Sequence, residues 1–225
     1  MDLMFTKQRI DKLVSELGAL RYSRIRPVKN IAVAPDAGNV HEKPEQYIDF
    51  ENGDSWGGYD RHFWFRIRVS VPEEDKGGTV LLLINTGREG EWDATNPQFL
   101  TFINDHAVQG LDVNHRELFL TDSAAAGESF DISLYAYSGM FDRKAFFSCS
   151  LAVLEPDIEG LYYDLKAASD AVDCLDENDK RRIDILKYLE HAVALIDFRK
   201  AYDYGESFLK SVADARAYIK DAFYK

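Results

Sequence analysis

Hydrophobic and polar residues alternate through the middle of the chain. In the clearest run, one side carries Phe63, Phe65, Ile67, Val69 and Val71. The other side carries His62, Trp64, Arg66, Arg68 and Ser70. A period of two residues is typical of a β-strand with one buried face. Similar runs follow at 80–84, 99–103, 117–120, 130–137 and 145–154. We therefore predict an antiparallel β-sandwich over residues 25–155.

Residues 102–110 have the pattern of a hairpin, with Asn104 and Asp105 at the turn. A strand, a tight turn and a second strand of this kind occur in the jelly-roll, galactose-binding-like domains attached to many glycosidases. This is an analogy of fold and carries no function by itself.

Apolar residues recur at helical spacing before and after the predicted sandwich. Ile10, Leu13, Val14 and Leu17 predict a short N-terminal helix, and we expect Gly18 to end it in a left-handed C-cap. Residues 1–24 would then form this helix and a linker.

Three further helical patterns fill residues 156–225, after Pro156 ends the last strand. We expect Asp157 and Asp179 to cap the first two of these helices. The third pattern runs to Lys225 without a Gly, a Pro or a polar tail. We therefore expect a further segment to follow it. The predicted fold class is therefore α+β, with a C-terminal helical bundle after the sandwich.

Composition narrows the classes of partner. A net charge of −12 and a pI near 4.9 disfavour nucleic acid and anionic membranes, because both bind clustered Lys and Arg. No segment is apolar enough for a signal peptide or a membrane span, so we expect a cytoplasmic chain. The two cysteines, Cys149 and Cys174, lack metal-type spacing and are expected to be buried and unpaired.

Four short motifs carry a resemblance to a known family. They are Trp56-Gly57-Gly58, Phe63-Trp64-Phe65-Arg66, Asn96-Pro97-Gln98 and the run from Gly110 to Glu117, followed by the LYYDL segment at Leu161 to Leu165. In this order they resemble the N-terminal, non-catalytic region of α-mannosidases of glycoside hydrolase family 38. The resemblance covers nearly the whole chain.

The resemblance implies a parent enzyme that is a retaining, zinc-dependent exo-α-mannosidase, commonly an oligomer. Its zinc ligands, two histidines and two aspartates, would lie in a catalytic domain outside these residues and begin with a His-x-Asp pair. None of the five histidines here is followed by x-Asp. We therefore expect a chain without cofactor or catalytic residues of its own, whose partners are its catalytic domain and further subunits.

Acidic residues are the first catalytic candidates, because glycoside hydrolysis normally uses two carboxylates. The candidates are Asp54, Asp60, Glu89, Glu91, Asp93, Asp112 and Glu117. With 39 acidic residues in 225, solvated loop charges are the simpler interpretation. A free-standing enzyme that uses two of these carboxylates remains a third hypothesis.

Two polar loops are the candidate ligand-binding or interface sites. In the loop at 87–98, alternate acidic residues could hold calcium, or Trp92, Asp93 and Asn96 could contact a sugar or a docking partner. A structural role for this loop also remains open. Because Trp92 offers a flat face for a pyranose ring, a carbohydrate-binding module for mannosides is the alternative function.

The second candidate site is the run Asn114, His115 and Arg116 ahead of a predicted strand. No nucleophile motif accompanies His115. We interpret this run as a polar latch that fixes the hairpin or meets another domain.

Overall fold

The computed structural model describes residues 3–35, 39–91 and 95–223, with the backbone alone for residues 3 and 4. The chain divides into two compact units. One contains Arg24 to Val153, and the other combines the residues up to Ser23 with those from Leu154 onward. The N-terminal helix thus belongs to the same unit as the C-terminal helices.

The strands form the predicted sandwich of antiparallel sheets. They are β1 (Tyr22–Pro27), β2 (Ile31–Pro35), β3 (Ile48–Phe50), β4 (Ser55–Gly57), β5 (His62–Ser70), β6 (Thr79–Asn85), β7 (Gln98–Ile103), β8 (His106–Leu111), β9 (Glu117–Thr121), β10 (Ser129–Tyr137), β11 (Lys144–Phe146) and β12 (Ser148–Leu154). A six-stranded sheet has the order β3-β2-β5-β10-β7-β8, and a four-stranded sheet has the order β1-β12-β6-β9. Strands β4 and β11 pair separately.

The alternation of residues in β5 fixes the core of the sandwich. Phe65 and Ile67 are fully buried, and Phe65 stacks on Phe147 with 4.5 Å between ring centroids. Leu134 of β10 lies opposite Phe65 and is also fully buried. The inward positions of neighbouring strands therefore form one hydrophobic cluster, as a sheet with a period of two requires.

One residue of β5 departs from this prediction. Trp64 lies on the face expected to be polar, yet it is fully buried. Its indole Nε1 donates to the backbone oxygen of Asn39 at 3.3 Å, and the Lys43 ammonium lies 5.7 Å from the ring centroid. The expectation of one buried face is wrong here because the segment around residues 39–43 covers the tryptophan.

Strands β7 and β8 form the predicted hairpin. Asn104 and Asp105 make the turn with φ values of 49° and 67°. Positive φ at both residues of a two-residue turn matches the right-handed twist of the flanking strands, and Asn and Asp tolerate this conformation.

Four helices form the second unit: α1 (Leu3–Ala19), α2 (Pro156–Asp173), α3 (Lys180–Leu195) and α4 (Glu206–Ala222). Each of them buries apolar residues that recur at helical spacing. These residues meet in a single hydrophobic cluster that includes Ile10, Leu161, Leu186 and Phe208. No helix in the described part of the chain is long and apolar enough to cross a membrane.

Two predicted helix ends are wrong and one is confirmed. Gly18 lies inside α1, and a Cβ there would come within 2.7 Å of the Tyr162 ring, so a tight approach explains this glycine. Asp157 lies in the first turn of α2, where Glu155 is the N-cap and Pro156 the first helical residue. Asp179 does cap α3, because its side chain accepts from the Arg181 N–H.

The cysteines are both free. Cys149 lies buried in β12, as expected. Cys174 follows the end of α2 and is exposed, so the expectation that it is buried is wrong.

Candidate functional site

Strand register brings both candidate loops to the same end of the sandwich. Tyr137 lies opposite both His62 and Gln98, so β5, β7 and β10 reach this end together. The short β8–β9 connection between Leu111 and Glu117 lies at the same end, because Leu111 pairs with Phe99 at the start of β7. We call the described residues 58–61, 86–91, 95–97, 112–116 and 138–143 the loop end.

Glu89 shapes the first loop. Its carboxylate accepts hydrogen bonds from the backbone N–H groups of Thr86 and Gly87, the latter at 3.0 Å. Burial acts to raise the pKa of Glu89, but these N–H groups outweigh it and the pKa lies below its usual value. A charged carboxylate therefore holds the turn that follows β6.

Arg88 is a buried residue that holds the same loop through its contact with Glu91. Its Nε lies 3.0 Å from Oε2 of Glu91. The guanidinium carbon lies 4.1 Å from the centroid of the Phe141 ring. Arg143 also donates to Glu91, at 2.5 Å, so the loops at 86–91 and 138–143 are joined.

The hydrogen bond from Arg88, followed by the charges of Arg88 and Arg143, holds the pKa of Glu91 below its usual value. The carboxylates of Glu89 and Glu91 therefore point at donors of the protein itself. Sequence reasoning had not singled out Arg88. Its spacing of three residues from Glu91 was the available signal.

Asn96 lies against the second of these loops. A Cβ on Gly139, whose φ is +90°, would lie 2.7 Å from the Asn96 Cβ. The Asn96 amide donates to Thr95 Oγ1 at 3.3 Å. Trp92 and Asp93, predicted to act with Asn96, lie outside the described residues.

Asp112 organises the second candidate loop. Its Oδ1 accepts from the backbone N–H groups of Asn114 and His115, both at 2.8 Å, and lies 3.0 Å from His115 Nδ1. Burial acts to raise the pKa of Asp112, but these contacts lower it below its usual value. The turn is therefore held by Asp112, while the side chain of His115 remains 76% exposed.

Arg116 connects this loop to neighbouring strands. Its Nη1 donates to Asn85 Oδ1 at 2.7 Å, and Asn85 Nδ2 donates to Ser148 Oγ at 3.2 Å. Asn85 ends β6, Ser148 begins β12, and Arg116 directly precedes β9. These hydrogen bonds link the β8–β9 connection to β6 and β12, and none of them involves Asn96.

The remaining acidic candidates also make local contacts. Asp54 accepts from the Glu51 N–H at 2.9 Å, and Asp60 accepts from the Tyr137 hydroxyl at 3.0 Å. Glu117 is half-buried at the start of β9. Sequence reasoning had not identified the ring stack beside Asp60, in which His62 lies 4.8 Å from Tyr137.

No group of three or more His, Cys, Asp or Glu side chains among the described residues is arranged to hold a metal ion. The zinc ligand set that the resemblance implies, two histidines and two aspartates, therefore does not fit these residues. We derive no chemical step through zinc in this chain.

A family model matches residues 28–169 and is described as the Ams1-like first domain, the jelly roll domain of α-mannosidase. The chain is also 26% identical over 154 residues to Alpha-mannosidase G of Dictyostelium discoideum. That match takes in 60% of this chain and 13% of the relative. The chain thus corresponds to a small part of the length of that relative.

Solved structures with a similar arrangement include β-glucuronidase from Ruminococcus gnavus. One, in complex with D-glucuronic acid, has a TM-score of 0.43 and 10% identity, over 59% of this chain and 30% of that chain. Another has a TM-score of 0.44 and 9% identity, over 58% of this chain and 28% of that chain. Likeness at this level carries no inference about what the chain binds or cleaves.

Proposed function

Because this chain belongs to the family of α-mannosidase jelly roll domains, we propose that it is a non-catalytic N-terminal domain of such an enzyme. Its role is to support the catalytic domain and the assembly of subunits. The observation that carries the proposal is the family match, which spans β2 to β12 and most of α2. The parent would be a zinc-dependent retaining exo-α-mannosidase, with its zinc in the catalytic domain.

The contacts of the acidic residues support a non-catalytic role. A glycosidase acid or nucleophile must be free to reach the sugar. Glu89 binds two backbone N–H groups, Glu91 binds Arg88 and Arg143, and Asp112 holds its own turn. These carboxylates stabilise loops, which leaves the loops rigid enough to present a surface.

The loop end is the surface that we propose meets the catalytic domain or a neighbouring subunit. Loops on a rigid scaffold commonly carry binding residues. Here Asn114 and His115 present exposed side chains from a turn that Asp112 fixes, and Asn96 lies on a loop packed against Gly139. Polar side chains held in one geometry lose little freedom when a partner binds.

The proposal includes a cytoplasmic location and a homo-oligomeric parent. Two free cysteines suit a reducing compartment. The alternative function, mannoside binding through Trp92, Asp93 and Asn96, depends largely on residues outside the described part, and it stays a prediction.

The test uses a polypeptide that carries this chain ahead of an α-mannosidase catalytic domain. His115→Ala and Arg116→Ala should lower its activity or its assembly, measured by turnover of an aryl α-mannoside and by size-exclusion chromatography with light scattering. Lys220→Ala, at an exposed position on α4, is the control and should change neither. Unchanged activity and assembly in both loop variants would reject the loop end as the contact surface.

A further inference from the structure

A polar groove lies on the outer face of the six-stranded sheet, away from the loop end. It has a volume of about 680 Å³ and lies where β2, β3 and β5 run side by side. The residues that line it include Lys29, Ala32, Asp49, Glu51, Arg66 and Arg68. All of them belong to the sandwich unit.

Strand register explains why a depression forms there. Ala32 of β2 lies opposite Asp49 of β3 on one side and opposite Arg66 of β5 on the other. Residues that pair directly share a face of the sheet, so the three side chains form one row. The short Ala32 side chain is the floor, and the two charged side chains are the walls.

The same geometry separates the strands that carry the two charged residues. The backbones of Asp49 and Arg66 are two strand spacings apart, about 10 Å at the usual 4.7–4.9 Å per spacing. No carboxylate among the described residues forms an ion pair with Arg66. The Arg66 guanidinium instead lies over the ring of Tyr47, 4.6 Å from its centroid. Arg66 and Asp49 therefore both line the groove without forming an ion pair with each other.

Arg66 and Arg68 lie on the polar side of the alternating run in β5, where pairing with acidic neighbours is the simplest expectation. This is correct for Arg68, whose Nε lies 2.6 Å from Asp131 Oδ1. It is wrong for Arg66, because the residue opposite it on β10 is Ser133, while Ala32 stands between it and Asp49. Arg66 is exposed and its guanidinium lies over Tyr47, so its N–H groups are accessible from the groove.

The mixture of charges selects the class of ligand. An anion would meet Asp49 and Glu51, and a cation would meet Lys29, Arg66 and Arg68. A neutral polyol satisfies both sets, since each hydroxyl can donate to a carboxylate and accept from a guanidinium or ammonium group. We propose that this groove binds a neutral saccharide, held between Arg66 and Asp49 above Ala32.

This site does not depend on the proposed docking role, nor on Trp92, and it can be tested on the chain alone. The probes are mannose, α-linked mannobiose, glucose and galactose, with inorganic phosphate as an anionic comparison. Binding is followed by ¹H–¹⁵N correlation spectra of the labelled chain. We expect at least one neutral sugar to shift the amide signals of Ala32, Asp49 and Arg66 in a saturable way.

Three variants examine the geometry of the groove. Arg66→Ala and Asp49→Asn each remove one wall, and each should weaken sugar binding by about tenfold or more, since hydrogen bonds to charged groups are the stronger ones. Ala32→Leu fills the floor without removing a polar group and should abolish binding. Lys144→Ala, an exposed cation on β11, is the matched control and should bind as the unaltered chain does.

Asp49 is exposed, so Asp49→Asn should fold and can be tested even if Arg66→Ala or Ala32→Leu does not fold. Shifts that are absent for every neutral sugar would overturn the proposal. So would shifts confined to the loop end, or binding of phosphate in place of sugars. Equal binding by Asp49→Asn and the unaltered chain would also overturn it.

Discussion

The carboxylate of Asp75 is completely buried and receives a hydrogen bond from Arg26, with 2.6 Å between Oδ2 and Nη1. Arg24 also reaches this carboxylate, at 3.2 Å from Oδ1. Asp75 belongs to a short 3-10 turn (Glu73–Asp75) after β5, while both arginines lie on β1. The buried carboxylate thus ties the first strand of the sandwich to the β5–β6 connection.

Replacing Asp75 by Asn should therefore destabilise the sandwich. The change removes the charge that two guanidinium groups solvate, at an expected cost of about 1–3 kcal/mol in the free energy of unfolding. Asp131→Asn is a matched control, since Asp131 also lies 2.6 Å from an arginine nitrogen but is exposed. Its cost should be about 0–1 kcal/mol, as for surface ion pairs. Urea denaturation measures the free energy of unfolding of both variants. Equal losses of stability would contradict the larger contribution that we assign to the buried carboxylate of Asp75.

Phe65→Ala should cost about 3–5 kcal/mol, from lost transfer free energy and the cavity that remains. Phe65 has no exposed surface and stacks on Phe147. Arg68→Ala, three positions later in the same strand, should cost about 0–1 kcal/mol because its partner Asp131 is at the surface. Unfolding of both variants at the same urea concentration would contradict the assignment of inward and outward positions in β5.

The latch residue His115 should contribute little to the stability of the chain itself. Its side chain is 76% exposed, and the turn that carries it is held by backbone bonds to Asp112. His115→Ala should change the free energy of unfolding by less than about 1 kcal/mol, as at surface positions generally. Trp92→Ala is expected to behave in the same way. Asp112→Ala, which removes the acceptor that holds the turn, is the contrasting variant and should cost more.

The two thiols should differ in reactivity toward alkylating reagents. Burial raises the pKa of Cys149 to about 12, so its thiolate is scarce at pH 8. Cys174 is exposed beyond the end of α2. We expect iodoacetamide at pH 8 to modify Cys174 in the native chain, and to modify Cys149 only after unfolding. Mass spectrometry of the labelled peptides measures this, and labelling of both at similar rates would contradict the burial of Cys149.

The fold was largely predictable because its strands alternate and its helices have apolar stripes. The exceptions arise from contacts between residues distant in sequence. Trp64 is covered by the segment around residues 39–43, and Gly18 is required by the ring of Tyr162. Periodicity reports which face of an element is buried, but it does not identify a covering segment or a close neighbour.

The candidate site was predictable only in part. The sequence indicated Asn114, His115 and Arg116, because they are polar residues in a short connection between predicted strands. Strand pairing then places them at the same end of the sandwich as Asn96. Arg88 gave a weaker signal, because its role depends on Phe141, more than fifty residues later. The groove depends on Ala32 standing between Asp49 and Arg66, which requires the pairing of three strands to be known.

Hydrolysis by the purified chain tests the central claim of a non-catalytic domain most directly. The folded chain, checked by circular dichroism, is incubated with an aryl α-mannoside with and without added zinc. We predict release of the aryl group at the rate of the buffer blank in both cases, because the described side chains form no zinc site and the carboxylates of Glu89 and Glu91 are engaged in holding loops. Turnover above the blank that disappears in Asp60→Asn or Glu91→Gln would contradict this account.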